Sequence, residues 1–216
     1  YRGAPEGYAR LDPLLNPPSL PGALEFFNLQ VGWQTLRHGF LALKEAVASG
    51  QYDFPHGLFW GGDGPTPNHR ALTEHLPALF GQAEWVLHLD LHTGSGKWGT
   101  YVHAVDLPDV ERVDALRGIF GAHRIQGLEP GGVLYTIHGA LGPYLQAIHP
   151  DVRYDCLLSE FGTVSSLAVI QTMRFENRVV RFGDQPAMRA EAARRMMEAF
   201  CPSDPHWRAD SVRQAR

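Results

Sequence analysis

The chain has 216 residues, of which 44% are apolar and 19% charged, a composition typical of one globular α/β domain and too apolar for a disordered chain. Nineteen basic and twenty-three acidic side chains give a formal charge of −4, so the charge favours neither nucleic acid nor an anionic membrane as a partner. No apolar run reaches the ~18–20 residues that span a bilayer. We therefore expect no nucleic acid and no membrane among its partners.

The beginning of the chain suggests that a part of the protein precedes it. The sequence starts at Tyr1 without a basic or apolar signal segment. Residues 1–22 are rich in proline and glycine, which predicts an extended surface segment. We expect residues 23–216 to be the C-terminal part of a single domain that is incomplete at its N-terminus.

Helical and strand patterns alternate along the rest of the chain. The spacing of apolar residues predicts helices over residues 23–49, 67–80, 108–120, 139–148 and 186–200. A further long helix follows residue 163, with Thr163 or Ser165 as its N-cap. Short apolar runs predict strands over residues 85–91 and 154–159. This alternation indicates an α/β fold, a three-layer α/β/α sandwich with a mixed, mainly parallel sheet.

Both predicted strands end in titratable residues followed by glycine. The first runs into Asp-Leu-His-Thr-Gly at 90–94, and the second into Ser-Glu-Phe-Gly-Thr at 159–163. In open α/β sheets, ligands bind beyond the carboxyl ends of strands. A charge buried there costs several kcal/mol unless it is paired or binds a metal. The two motifs therefore predict one shared polar site.

Strand geometry limits which residues of the first motif can share that site. His88, Asp90 and His92 point to one face because side chains alternate along a strand. His88 and His92 are about 13 Å apart at ~3.3 Å per residue, too far for ligands of one ion. We therefore assign Asp90 and His92 to the site and interpret His88 as a partly buried histidine with a hydrogen-bond partner.

Together the two motifs resemble the second half of the zinc carboxypeptidase superfamily. The similarity is greatest to a bacterial branch related to the aspartoacylase and succinylglutamate desuccinylase group, and it covers nearly the whole chain. Residues 50–52, 57–62, 200–202 and 207–208 also fit that branch. The resemblance implies a carboxypeptidase-like fold and a zinc-dependent hydrolase.

The resemblance also implies roles for individual residues. His92 would be the third zinc ligand, Glu160 the general base and later general acid, and Asp90 a residue close to the metal ligand. These roles agree with the chemistry of catalytic zinc, which holds a water that a nearby carboxylate can deprotonate.

The chain departs from the family pattern at the first two zinc ligands. The family takes them from a His-x-x-Glu motif, but none of the eleven histidines here has a glutamate three residues on. His69 with Glu74 has the wrong separation and lies on a predicted surface helix. We expect the remaining ligands upstream of Tyr1. The 216-residue chain should then bind zinc weakly and lack hydrolase activity.

Several alternatives remain open at this stage. The substrate would be a small peptide, as for a metallocarboxypeptidase, or an N-acyl amino acid, as for a deacylase. A non-catalytic binding or interaction domain that keeps the fold without a complete metal site is the alternative from another class. Arg112, Arg117, Arg124 and Arg153 are candidates for recognising a substrate carboxylate. The two cysteines do not form the pattern of a disulfide framework, which favours the reducing environment of the cytoplasm. The sequence does not predict the oligomeric state.

Overall fold

The computed structural model describes residues 2–22, 25–39, 49–94, 96–105, 107, 109–127 and 140–216. Within these ranges the chain forms an α/β fold of eight helices and four strands. The helices are α1 (Tyr8–Leu15), α2 (Phe27–His38), α3 (Pro67–Phe80), α4 (Val110–Phe120), α5 (Leu141–Ile148), α6 (Ser166–Phe182), α7 (Pro186–Phe200) and α8 (Pro205–Gln214). The strands are β1 (Trp85–Thr93), β2 (Tyr101–Ala104), β3 (Ile125–Gln126) and β4 (Arg153–Phe161).

The four strands form one mixed sheet in the order β1-β4-β2-β3. Strand β1 pairs with β4 in parallel along its whole length, β2 pairs with β3 in parallel, and β2 pairs with β4 antiparallel. Strand β4 therefore has a neighbour on each side. It carries the Glu160 motif, and β1 carries the His92 motif.

Helices pack against both faces of β4. On one face Leu157 is fully buried in a cluster with Val105, Leu116 and Ile125, which joins the sheet to α4. On the other face Cys156 lies against Gly142 of α5, where a Cβ at position 142 would come within 2.6 Å of the thiol sulfur. Apolar positions on both sides of one strand explain why its sequence reads as a nearly continuous hydrophobic run.

The structure corrects the prediction of an extended segment over residues 1–22, because residues 8–15 form α1. Its Tyr8, Leu11 and Leu15 are buried with Leu58 against Ile170 of α6. The Tyr8 hydroxyl also donates a hydrogen bond to the Leu58 carbonyl oxygen at 2.6 Å. The prolines of this segment led to the prediction of an extended chain. Its buried apolar residues are nevertheless three and four positions apart, and tertiary packing stabilises the segment as a helix.

The other predicted elements are found, two of them with the predicted bounds and the rest with different ends in the described residues. Helices α3 and α7 have the predicted bounds, Ser165 is the N-cap of α6, and both strands extend far enough to include His92 and Glu160. Of the predicted helix over residues 23–49, the described part contains α2, which ends at His38 before Gly39, and residues 23–24 and 40–48 lie outside the described part. Strands β2 and β3 and helix α8 were not predicted. Within the described ranges, no helix combines the length and the apolar character needed to cross a membrane.

Candidate active site

The parallel pairing of β1 with β4 brings the two sequence motifs together. His92 and Glu160 are register partners on these neighbouring strands, as are His88 and Cys156, and Asp90 and Leu158. Adjacent strands lie about 4.8 Å apart, and paired residues project their side chains to the same face. The imidazole and the carboxyl group expected to act together are therefore neighbours on one face at the carboxyl ends of both strands.

The two side chains differ in their access to water. Glu160 is only 5% exposed and lies between His92 on β1 and Val102, its register partner on β2. The His92 side chain is 43% exposed. The pair thus places a buried carboxyl group beside an imidazole that solvent or a ligand can reach, at the end of the sheet where ligands bind in α/β folds.

Asp90 holds the ring of His92. The Nε2 atom of His92 lies 3.0 Å from the Oδ2 atom of Asp90. A carboxylate can only accept, so Nε2 would be the donor of a hydrogen bond across this contact, and Nδ1 would keep its lone pair in that neutral tautomer. Carboxylates orient metal-binding histidines in the same way. The arrangement leaves Nδ1 as the atom of His92 that can bind a metal.

His88 belongs to a separate polar group further down the same face. Its Nδ1 atom hydrogen-bonds with the Tyr154 hydroxyl at 2.8 Å and lies 3.4 Å from the Cys156 sulfur. Burial, together with the Asp90 charge, raises the pKa of the Cys156 thiol to about 12. Burial likewise raises the pKa of Tyr154 to about 12. Both groups stay protonated near neutral pH, which lowers the reactivity of the Cys156 thiol.

The loop between β1 and β2 is packed against the carboxyl end of β4. Its described residues 96–100 include Lys97, Gly99 and Thr100, which contact Gly162 just after the end of β4. The Gly162 amide donates to the Thr100 carbonyl at 2.9 Å, and the Gly99 amide donates to the Gly162 carbonyl at 3.1 Å. A Cβ at position 162 would collide with the carbonyl oxygen of Lys97. Glycine is therefore required at this position by a close backbone approach.

Helix α8 closes over this loop. The Trp207 indole N–H donates to the Gly162 carbonyl at 2.8 Å, and the Gln214 side-chain amide donates to the Gly99 carbonyl at 2.8 Å. Trp207 is buried with Tyr101 and Phe161. The last helix thus fixes the backbone that follows both His92 and Glu160. Sequence reasoning had assigned no role to these residues, because a lone tryptophan on a polar helix gives no periodic signal.

The remaining sequence candidates are engaged elsewhere. His69 forms a capping box with Thr66 at the start of α3, so it is not part of a metal site with Glu74. Arg112 and Arg153 both bind the fully buried Asp155, whose side chain projects from the face of β4 opposite to Glu160. Of the other two arginines, Arg117 pairs with Asp114 and Arg124 donates to the Gln214 carbonyl.

The described residues supply only part of a metal site. In the ranges given above, no three histidine, cysteine, aspartate or glutamate side chains are placed to hold one ion. His92 is a suitable ligand through Nδ1, and Asp90 orients it. A zinc ion there would need further ligands from residues outside the described ranges.

Comparison with known sequences places the chain in a family. A family model described as a protein of unknown function, DUF2817, matches residues 3–214. The chain belongs to the DUF2817 family. No curated protein and no solved structure matches the chain. The DUF2817 match spans α1 to α8 and so includes both motifs of the candidate site.

One further residue of the second motif stands out in the structure. Thr163 is 2% exposed, and its hydroxyl has no hydrogen-bond partner among the described residues. The sequence offered it as an N-cap of α6, but Ser165 has that role, accepting from the Ala168 amide at 3.3 Å. The Thr163 hydroxyl is therefore buried three residues after Glu160 without capping α6.

Proposed function

We propose that the protein is a zinc-dependent amide hydrolase with a carboxypeptidase-like fold. The observation that carries this proposal is the register of β1 and β4, which makes His92 and Glu160 neighbours on one face. A metal-binding imidazole beside a buried carboxyl group, both at the carboxyl ends of strands, is the arrangement that water activation requires.

The residues at hand fit one part of a zinc site. His92 would contribute Nδ1, and Asp90 would keep the ring oriented through its bond to Nε2. When bound, zinc would polarise the scissile carbonyl and lower the pKa of a bound water to about 7. The further ligands would come from outside the described residues, and the sequence motif expected for them is the His-x-x-Glu pair of the superfamily.

Glu160 would move the protons of the reaction. As general base its carboxylate takes a proton from the attacking water, and as general acid it returns that proton to the nitrogen of the leaving group. Its burial at 5% exposure keeps bulk water from competing for the proton. His92 is the more exposed residue of the pair, so a substrate amide can approach from the side of His92.

The substrate would carry an amide bond in a small molecule, either a short peptide or an N-acyl amino acid. The arginines proposed from the sequence do not distinguish a short peptide from an N-acyl amino acid as the substrate. Arg112 and Arg153 are held by Asp155 on the other face of the sheet. Recognition of a substrate carboxylate at this site would therefore use groups other than Arg112 and Arg153.

The test uses the full-length protein encoded by its gene. Zinc content is measured by elemental analysis, and hydrolysis is measured on N-acetyl amino acids and on short peptides. We expect Glu160→Gln to abolish turnover and to leave zinc content unchanged, and His92→Asn to lower both. Glu74→Gln on the exposed surface of α3 is the matched control and should resemble the wild type.

Full turnover in Glu160→Gln would exclude this mechanism. Zinc binding without hydrolysis of either substrate class would favour the binding-domain alternative instead.

A further inference from the structure

A cavity of about 570 Å³ lies at the amino-terminal ends of β1 and β4, away from the candidate active site. Arg153, which lines it, is the first residue of β4, and its register partner Trp85 is the first residue of β1. Glu160 and His92 lie at the other ends of these strands, about 23 Å away at ~3.3 Å per residue. The volume is in the range of sites that bind small molecules.

Two arginine side chains of this cavity are held by one carboxylate. Asp155 is fully buried, and its Oδ1 atom accepts from the Nε atom of Arg112 at 2.9 Å and from one of the Nη atoms of that residue. Its Oδ2 atom accepts from the Nε atom of Arg153 at 3.1 Å and from the Trp85 indole N–H at 2.8 Å. The Arg153 guanidinium also lies over the Trp85 ring, 4.7 Å from the ring centroid. Both guanidinium groups are therefore fixed before a ligand binds.

The two arginines carry more positive charge than Asp155 neutralises. One carboxylate balances one guanidinium, so burial of Asp155 does not by itself require the second. In the part of the chain that the structure describes, the two terminal nitrogens of Arg153 make no hydrogen bond. The Arg153 side chain is 40% exposed, so a ligand can reach these donors. A fixed guanidinium with free N–H groups is suited to bind a carboxylate.

Two acidic side chains line the same cavity. Asp109 is the N-cap of α4, and its Oδ1 atom accepts from the amides of Glu111 and Arg112. The Glu111 carboxylate is exposed and has no ion-pair partner within the described ranges. A ligand with a single charge would meet a like charge in this cavity, which disfavours binding. A ligand with both a carboxylate and an ammonium group would meet a partner for each.

Apolar residues complete the lining of the cavity. They are Ala115, Pro150 and Val152, which can contact an apolar side chain. We propose that the cavity binds an α-amino acid or a short peptide that has free ends and an apolar side chain. Arg153 and Arg112 bind the carboxylate of this ligand, and Glu111 binds its ammonium group. The proposal does not depend on the hydrolase activity proposed above.

Calorimetry on the full-length protein tests the charge requirement. L-leucine is compared with 4-methylpentanoate, which lacks the ammonium group, and with 3-methylbutylamine, which lacks the carboxylate. We expect each analogue to bind at least about tenfold more weakly than L-leucine, because each has lost one charge-assisted contact. L-leucyl-L-leucine, measured in Glu160→Gln to prevent hydrolysis, distinguishes a peptide from a free amino acid as the preferred ligand.

Variants test whether binding occurs in this cavity. We expect Glu111→Gln to weaken L-leucine binding about tenfold and not to weaken 4-methylpentanoate binding, a difference that a merely structural role of Glu111 would not produce. Arg153→Gln should weaken the binding of both. Arg117→Gln is the matched control, because Arg117 lies on the same helix and pairs with Asp114. It should bind L-leucine like the wild type.

Equal binding of L-leucine and 4-methylpentanoate would overturn the proposal, and so would unchanged L-leucine binding in Glu111→Gln. Absence of binding by both L-leucine and L-leucyl-L-leucine would overturn it as well. If Arg153→Gln does not fold, the comparison with Glu111→Gln still decides. These outcomes do not bear on the hydrolase, which is tested by the turnover of Glu160→Gln.

Discussion

Gly162→Ala tests whether the loop after His92 is packed against the strand end after Glu160 as tightly as the structure indicates. The added Cβ would meet the backbone of Lys97, with its carbonyl carbon at 2.6 Å, and the Thr100 hydroxyl at 2.8 Å. Backbone cannot rotate out of the way as a side chain can, so the loop must move. Such overpacking typically costs about 1–3 kcal/mol.

The movement would also strain the hydrogen bonds that hold the loop. Three of them involve Gly162, with Thr100, Gly99 and Trp207 as partners at 2.9, 3.1 and 2.8 Å. Each contributes about 1 kcal/mol net, and partial loss of this set adds to the steric cost. We therefore expect Gly162→Ala to lower the free energy of unfolding by about 2–4 kcal/mol.

Urea denaturation followed by circular dichroism measures this difference. Gly118→Ala is the control, because Gly118 lies within α4 and a Cβ there would meet nothing within 4 Å. Alanine in a helix interior should stabilise the chain by about 0.5–1 kcal/mol. The reasoning fails if Gly162→Ala is as stable as the wild type, or if the two substitutions have the same effect.

Two further predictions follow from the pKa values of other groups. Burial alone would raise the pKa of Glu25, but hydrogen bonds from Arg174 and Arg178 outweigh it and lower that pKa to about 2. The stability that this carboxylate contributes is complete above about pH 4.5 and is lost as the pH falls toward 2. Glu25→Gln should therefore have a lower free energy of unfolding than the wild type at pH 7. This difference in free energy, the gap between the two proteins, should narrow as the pH is lowered in acid denaturation profiles. A gap that stays constant between pH 7 and pH 3 would contradict this. Cys201 is exposed, whereas burial raises the pKa of Cys156 to about 12, so a thiol reagent at pH 8 should label one cysteine quickly. Cys201→Ser should abolish this fast phase, and a remaining fast phase would show that Cys156 is reactive.

The longest elements could be predicted from the sequence because local signals define them. Helix α3 has proline at its first position with Thr66 as N-cap, and α7 begins with Pro186, so the predicted starts were correct. The apolar runs of β1 and β4 were equally clear. Strands β2 and β3 were missed because they have four and two residues, too few for a periodic pattern to appear.

Helix α1 was missed for a different reason, because its local signals indicate a loop. Its segment contains Pro13 and follows Gly7, and such residues usually mark a loop. It is helical because Tyr8, Leu11 and Leu15 are buried in a shared cluster with Leu58, a contact across more than forty positions that no local pattern contains. Tertiary burial here outweighs a weak intrinsic propensity.

The sequence predicted which residues could carry the candidate chemistry, and it placed those of one strand on a common face, because alternation along a strand follows from backbone geometry alone. His88, Asp90 and His92 could be placed on one side of β1 in this way, and His88 could be set apart by distance. That His92 and Glu160 are register partners became clear only from the folded chain, since the pairing of β1 with β4 joins segments almost seventy positions apart. The same structure leaves the Thr163 hydroxyl without a hydrogen-bond partner among the described residues, a property that depends on every element packed around it.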